Sequence, residues 1–200
     1  MILEGIVTTL APDGALNIAP MGPHVGPGME RFVLRPFPTS QTFRNLKAHG
    51  AGVLHVTDDV LLLARAALGQ VVPAPPVFAA ERVRGSVLRD ACRYYEFRVL
   101  SLDESEARVR IEAETVHAGR LRDFFGFNRA KHAVVEAAIL ATRTDFLPLD
   151  EIEADYRKLA VIVDKTGGDQ ERQGFALLRE HVERAARERA AAGGVPRCPA

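Results

Sequence analysis

Residues 35–46 hold the side chains whose types and spacing are best suited to chemistry. Arg35 follows an apolar run at residues 32–34 that has the composition of a short strand. Pro36 and Pro38 come next, and because proline cannot donate to a strand ladder, they end that strand. The sequence therefore places a guanidinium group where a strand gives way to a turn.

The turn leads into a helix start that is rich in hydroxyl groups. Thr39, Ser40 and Thr42 come just before or among the first apolar helical positions, Phe43 and Leu46. A helix N-terminus has free N–H donors and a partial positive charge, so it favours anions. Hydroxyls beside a guanidinium group there predict a phosphate cradle. The same residues also fit an ordinary N-cap, because Ser and Thr are preferred at that position for local reasons.

Short strands separated by turns surround this segment. Strands are predicted at residues 2–10, 16–20, 31–35 and 52–57. The first two form a hairpin, since Asp13-Gly14 between them tolerates positive φ. Residues 21–30 are rich in Gly and Pro and are predicted to be a loop. Gly50 suits the position just after a helix.

Residues 94–114 carry the clearest strand pattern of the chain. Apolar Tyr95, Phe97 and Val99 alternate with Glu96 and Arg98, and residues 109–113 repeat the alternation. A period of two indicates one buried and one solvent-exposed face. Residues 69–80 are predicted to be a crossing loop. With few helices between the strands, the pattern favours an antiparallel barrel.

The pattern becomes helical after about residue 127. Helices are predicted at residues 131–143, from Asp150 onward, and at 170–192, and Asp150 and Glu153 form a variant of the capping box. The predicted apolar faces are Val135, Ile139 and Thr142 on the first helix, Ile152, Tyr156, Leu159 and Val163 on the second, and Phe175, Leu178, Val182 and Ala185 on the third.

These patterns predict an α+β, mainly β fold. We expect a β-barrel at residues 1–125, a helical region at 126–192 and a flexible tail at 193–200. Residues 71–78 and the helical stripes are apolar enough to need a covering surface, so we expect a homodimer. The alternative is a monomer whose helices pack on its own barrel.

Composition narrows the classes of partner and location. The chain has 26 basic and 26 acidic residues, and a net charge of zero argues against non-specific nucleic-acid binding. No apolar run is long enough to span a bilayer, so no membrane association is expected. Cys92 and Cys198 are isolated and do not form a disulfide framework. Without a leader pattern at the N-terminus, the predicted location is the cytoplasm.

Other kinds of catalytic site match the sequence poorly. No serine lies in Gly-x-Ser-x-Gly, and the glycines at 22, 26 and 28 do not have dinucleotide-loop spacing. The six histidines are scattered, so no metal site is predicted. His132 and Glu136 share a helix face, which an exposed polar pair explains equally well. No residue stands out as a general acid or base, and the catalytic residues are unknown.

Several blocks of the chain, in the same order, resemble one known family. They lie at residues 1–10, 17–23, 35–46, 126–132 and 164–168. On these blocks the chain resembles an uncharacterised family of FMN-binding split-barrel proteins, related to flavin reductases and pyridoxamine phosphate oxidase. The resemblance implies an FMN-binding split β-barrel with a C-terminal helical appendage, and FMN as the cofactor.

The resemblance assigns roles to the candidate residues. Predicted cofactor-binding residues are Asn17, Ala19, Pro20, Met21 and Gly22, which would line the flavin ring; Arg35, Thr39, Ser40 and Thr42 at the phosphate cradle; and Asn45, Asn128 and Arg129. Met21 also fits a role as a core filler. Asn128 and Arg129 fit a contact with FMN from a second subunit, since the related flavoproteins are dimers with FMN at the interface. A helix cap and a dimer ion pair explain these two residues equally well.

The predicted function is therefore FMN binding, with FMN-dependent oxidoreductase chemistry on a small soluble substrate or electron donor. The absence of an evident acid or base suits chemistry performed by the flavin itself. It suits equally a non-catalytic flavin carrier or sensor. A third possibility is a module that binds another phosphorylated ligand. Whether the protein is an enzyme stays open at this point.

Overall fold

A computed structural model of the chain describes residues 1–191. The predicted flexible tail at 193–200, with Cys198, lies outside the described residues. The described residues form two compact units. One contains residues 1–58 and 71–124, and we call it the barrel unit. The other contains residues 59–70 and the chain from Phe125 onward, and we call it the helical unit. Residues 59–70 thus group with the later helices, although the sequence pattern placed them before the helical region.

The barrel unit is built from short strands and one helix. In chain order these are β1 Gly5–Leu10, β2 Leu16–Met21, β3 His24–Val25, β4 Arg31–Leu34, α1 Gln41–His49, β5 Ala51–Val56, β6 Val77–Ala79, β7 Ser86–Leu88, β8 Arg93–Asp103 and β9 Arg110–Arg120. The predicted loops at 21–30 and 69–80 therefore each contain a short strand. Gly50 ends α1 with φ of 63°, as its predicted position requires.

Seven of these strands form one antiparallel sheet in the order β2-β1-β5-β8-β9-β4-β3. The chain just before β1 pairs with β3 at the other edge: Ile2 bridges His24, and the Val25 N–H donates to the Met1 carbonyl at 2.9 Å. The sheet thus curves back toward its own start, as a barrel requires.

The interior of the barrel is filled by the apolar face of each strand and by α1. Phe97 and Ile111 are fully buried, and Phe32 meets Phe97 edge to face with ring centroids 5.2 Å apart. Phe43 and Leu46 of α1 belong to the same cluster. Burial of this helix face against the sheet positions the N-terminus of α1 next to β1 and β2.

The outer face of β8 departs from the predicted alternation at Glu96. This side chain was predicted to be solvent-exposed, but it is fully buried. Its carboxylate accepts hydrogen bonds from three consecutive backbone N–H groups, of Glu81 at 2.8 Å, Arg82 at 2.6 Å and Val83 at 3.2 Å. The β6–β7 hairpin covers this face, and an alternation pattern cannot show that a distant hairpin lies over it.

The helical unit consists of four helices that share one apolar cluster. They are α2 Val60–Ala67, α3 Arg129–Ala141, α4 Leu149–Thr166 and α5 Asp169–Ala191. Asp59 caps α2 by accepting from the Leu62 N–H at 2.9 Å. The predicted apolar faces of α4 and α5 are largely confirmed, with Tyr156 and Leu178 among the buried residues.

Two local predictions in this unit are wrong. The buried face of α3 consists of Ala130, Ala133, Val134, Ala137, Ala138 and Ala141 rather than of Val135, Ile139 and Thr142. Alanines let the neighbouring helices approach closely, and a search for large apolar side chains misses such a face. The capping box at Asp150 does not form: Pro148 occupies the N-cap of α4, and no side chain bonds there. Across the described residues, no helix has the length and apolarity needed to cross a membrane.

Candidate functional site

The N-terminus of α1 begins with a serine cap. Ser40 has extended backbone angles, φ of −74° and ψ of 149°, and its Oγ accepts from the Phe43 N–H at 3.2 Å. The same hydroxyl donates to the Phe37 carbonyl at 2.8 Å. Helix geometry leaves the N–H groups of Gln41 and Thr42 without intrahelical acceptors. The cap interpretation of Ser40 therefore holds, and these two N–H groups are the first-turn donors to which an anion would bond.

Guanidinium groups gather around the turn before α1. Arg44 donates from Nη1 to the Thr39 carbonyl at 2.6 Å and from Nη2 to Oε1 of Gln41 at 2.8 Å, so it holds the turn against the helix. The guanidinium of Arg108 lies 3.8 Å from the ring centroid of Phe37.

Arg35 lies half-exposed at the end of β4 and forms an ion pair with Glu106. The Arg35 carbonyl accepts from Nη1 of Arg108 at 3.4 Å. Besides the predicted Arg35, two further cations, Arg44 and Arg108, thus contact residues 35–41. This concentration of positive charge suits a phosphate group.

A buried network of amides and hydroxyls joins α1 to β1 and β2. Asn17 donates from Nδ2 to Oγ1 of Thr9 at 3.1 Å and to Oγ1 of Thr42 at 3.0 Å. Asn45 donates to the same Thr9 oxygen at 2.9 Å and accepts from Nε2 of Gln41 at 2.6 Å. Thr42 and Asn45 therefore face the sheet, and their polar groups are used in positioning α1 rather than in extending the cradle outward.

The strand β2 lies at an edge of the sheet, and along residues 1–191 no strand pairs with its outer side. The Ala11 N–H donates to the Ala15 carbonyl at 2.9 Å, and antiparallel pairing alternates from there along β1 and β2. Ala19 is thus bonded to β1, while the N–H and carbonyl of Ile18 and the carbonyl of Pro20 face outward. Pro20 occupies a position that needs no ladder donor. This edge offers alternating backbone donors and acceptors to a planar polar ligand.

Two further residues of this segment have local structural explanations. Met21 is partly buried against the barrel core, as its interpretation as a core filler implies. A Cβ at Gly22 would lie 2.9 Å from Cγ2 of Ile2, so close packing with the N-terminal residues calls for glycine there.

Asn128 and Arg129 lie in the helical unit, at the start of α3. Asn128 is the N-cap: its Oδ1 accepts from the Lys131 N–H at 3.0 Å, and its Nδ2 donates to the Thr166 carbonyl at 3.1 Å. Arg129 is exposed. Next to them, Phe127 is 97% exposed and stacks on the His132 ring with centroids 6.1 Å apart. The cap interpretation of Asn128 holds, and the cation and aromatic ring beside it are open to contact.

The structure brings most of the predicted cradle and ring-lining residues of the barrel unit together around α1 and β2. Thr9, Gln41, Arg44, Glu106 and Arg108 also contact this region and were not among the predicted site residues. Arg44 and Gln41 could have been found from their helical spacing, because residues three apart share a helix face. Glu106 and Arg108 carry no local signal, since the β8–β9 turn reaches residue 35 only through the fold.

A buried histidine lies in the barrel unit away from these residues. His55 accepts from the Leu88 N–H at Nε2, 3.1 Å away, and its Nδ1 therefore donates to the Ile6 carbonyl at 3.2 Å. Desolvation lowers the pKa of His55 to about 4, although its bond to Ile6 acts in the opposite direction. The imidazole is neutral and structural. Within residues 1–191, no cluster of three or more His, Cys, Asp or Glu side chains could hold a metal ion.

Comparisons with known proteins agree with this architecture. Residues 3–122 match a family model described as "Protein of unknown function (DUF447) N-terminal domain", and residues 128–180 match the model "Protein of unknown function (DUF447)". A search of curated protein sequences found no match.

Solved structures share the fold. The crystal structure of an FMN-bound DUF447 protein from Methanosarcina mazei is 24% identical with a TM-score of 0.78, covering 90% of this chain and 94% of that one. The styrene monooxygenase flavin reductase of Pseudomonas putida S12 is 10% identical with a TM-score of 0.52, covering 60% and 82%. Flavoredoxin from Methanosarcina acetivorans is 12% identical with a TM-score of 0.51, covering 60% and 68%. The split-barrel prediction is confirmed, and the chain belongs to the DUF447 family of proteins of unknown function.

Proposed function

We propose that this protein binds FMN at the N-terminus of α1 and the free edge of β2. The observation that carries the proposal is the fold shared along 90% of the chain with a DUF447 protein that is FMN-bound. The residues around α1 and β2 have the chemistry that FMN requires. A phosphate needs donors and positive charge, and a flavin ring needs backbone donors and acceptors along its polar edge.

Each part of the site has a role toward FMN. Arg35 and the N–H groups of Gln41 and Thr42 would hold the phosphate, with Thr39 and Ser40 beside them. The outward backbone groups of Ile18 and Pro20 on β2 would bind the polar edge of the ring. The network that includes Asn17 and Asn45 keeps α1 and β2 in a fixed relation, so the two halves of the site are preorganised.

We further propose FMN-dependent oxidoreductase activity on a small soluble substrate. FMN, when bound, supplies hydride and electron transfer. The network of amides and hydroxyls next to the site would bind and orient the flavin. The flavin reductase and flavoredoxin that share this fold support redox chemistry. A cytoplasmic location goes with this proposal.

We also propose that the protein is a homodimer with FMN near the interface. Phe125 and Phe127 of the helical unit are 78% and 97% exposed, and Val72 of the barrel unit is 81% exposed. Large exposed apolar residues of this kind mark interfaces. Asn128 and Arg129 lie beside the exposed phenylalanines in sequence and would contact FMN from the second subunit.

The decisive experiment is the absorbance spectrum of the purified protein, with mass spectrometry of any released ligand. We expect a flavin spectrum and the mass of FMN. Predominant FAD, or no flavin bound after reconstitution, would refute FMN binding.

Reduction of the bound flavin with NADH and NADPH tests for catalysis. Steady turnover with an acceptor supports the enzyme, while bound flavin without turnover supports a carrier or sensor. Light scattering at micromolar concentration tests the dimer, and a monomeric mass with flavin bound would refute it.

A further inference from the structure

The turn between β8 and β9, residues 104–109, is tied by charge to the proposed phosphate cradle. Glu106 pairs with Arg35, and Glu104 pairs with Lys47 of α1, with Oε1 2.7 Å from Nζ. Arg108 contacts the ring of Phe37 and the carbonyl of Arg35. We call residues 104–109 the acidic turn. The acidic turn therefore contacts residues 35–37, which precede the cradle helix, and α1 itself.

The Glu106 carboxylate resembles a phosphate in its chemistry toward Arg35. Both groups present anionic oxygens, and a guanidinium group binds either through charge-assisted hydrogen bonds. A phosphate brought to Arg35 while Glu106 remains in place would put two anions beside the same guanidinium group. Like charges at such short distance repel each other, so the carboxylate and the phosphate compete for Arg35.

We propose that Glu106 is an internal competitor for the FMN phosphate, and that Arg35 exchanges the carboxylate for the phosphate when FMN binds. The inference rests on the proposed function, because it concerns the phosphate subsite of the FMN site. It adds a residue that sets the affinity for the phosphorylated ligand relative to its unphosphorylated form.

The solvent exposure of the Arg35–Glu106 ion pair sets how strongly Glu106 lowers the affinity for FMN. The Arg35 side chain is 37% exposed and that of Glu106 is 62% exposed. Solvent screens such a pair, so it is weak enough for a phosphate to displace. Removing the carboxylate should strengthen FMN binding by about two- to fivefold, the range for an exposed ion pair.

The test compares Glu106→Gln with Glu104→Gln, which removes the same charge from the same turn but does not touch Arg35. The dissociation constants of FMN and riboflavin are measured for each full-length variant at low salt. We expect Glu106→Gln to bind FMN about two- to fivefold more tightly with riboflavin unchanged, and Glu104→Gln to resemble the wild type. In an Arg35→Ala background the gain from Glu106→Gln should disappear.

Other results would overturn the inference. Unchanged or weaker FMN binding in Glu106→Gln would show that the carboxylate orients Arg35 rather than competing for it. An equal gain for riboflavin would point to a general change in the turn, and an equal gain in Glu104→Gln to total charge. In each of these cases the wild type still binds FMN and the proposed function stands. If neither the wild type nor any variant binds FMN, the proposed function fails and this inference fails with it.

Discussion

Asn45 of α1 donates a hydrogen bond from Nδ2 to Oγ1 of Thr9 on β1 across 2.9 Å, and each residue is only 1% exposed. The same threonine oxygen accepts from Asn17 of β2 at 3.1 Å. One hydroxyl therefore connects the helix that would hold a phosphate with the strand edge that would hold a ring. This small polar network fixes the position of α1 relative to β1 and β2.

Asn45→Leu should destabilise the protein by about 1–3 kcal/mol, because it removes the buried hydrogen bond to Thr9 and leaves Nε2 of the partly buried Gln41 without its acceptor. Thermal or denaturant unfolding measures the loss. Lys47→Ala on the exposed side of the same helix serves as the control and should cost less than about 1 kcal/mol. Equal losses for the two variants would show that the network does not stabilise the attachment of α1.

Arg35→Ala should weaken FMN binding by about 10- to 150-fold, because charge-assisted hydrogen bonds contribute about 1.5–3 kcal/mol each. Riboflavin, which lacks the phosphate, should bind the variant and the wild type almost equally. Arg110→Ala is the matched control: this arginine pairs with Glu112 on the same sheet at 2.9 Å. A loss for riboflavin as large as that for FMN would mean that Arg35 supports the fold.

Glu96→Gln should destabilise the barrel unit by about 1.5–3 kcal/mol, the contribution of hydrogen bonds to a charged group. The amide supplies one acceptor oxygen and places a donor where a backbone N–H of residues 81–83 now donates. Glu112→Gln, on the exposed face of the neighbouring strand, is the control. Hydrogen exchange at residues 81–83 should become faster in Glu96→Gln only, and unchanged exchange there would contradict the assigned role.

Stability should decrease as the pH falls from about 6.5 toward 4, because of His55. Burial lowers its folded-state pKa from 6.5 to about 4. Within that window the unfolded chain binds a proton that the folded chain does not, so the free energy of unfolding rises with pH there. The full contribution is about 3 kcal/mol.

The pH effect is best measured between pH 6.5 and 5, where most carboxylates stay ionised. Urea unfolding of the wild type and of His55→Gln gives the free energy of unfolding at each pH. We expect a smaller slope in the variant, which cannot titrate at this position. Parallel slopes would show that another group causes the pH dependence.

Local patterns predicted the longer strands of the barrel unit and the start of α1, but not the short strands β3, β6 and β7, because each of the predicted patterns is caused locally. Alternation at residues 109–113 follows from one face of β9 and of the residue before it lining the core, where Val109, Ile111 and Ala113 are at most 1% exposed. The serine cap of α1 and the left-handed Gly50 after it are likewise decided by nearby backbone groups.

Interactions between distant segments could not be predicted in this way. The buried alanines of α3 have no large side chains to form a stripe, and Glu96 looks solvent-exposed until the β6–β7 hairpin covers it. The same holds at the site: Asn17, Thr42 and Asn45 are visible as polar residues, but Thr9 brings them together only in the fold.

The sequence by itself therefore determined the family, the strand and helix pattern, and the candidate residues around α1 and β2, because hydrophobic period, turn chemistry and motif order are properties of contiguous residues. Only the tertiary structure decided which of these side chains face the sheet and which face outward, and that Glu106 lies against Arg35. Such pairings depend on strand register and on a turn more than sixty residues away, and no local preference encodes them.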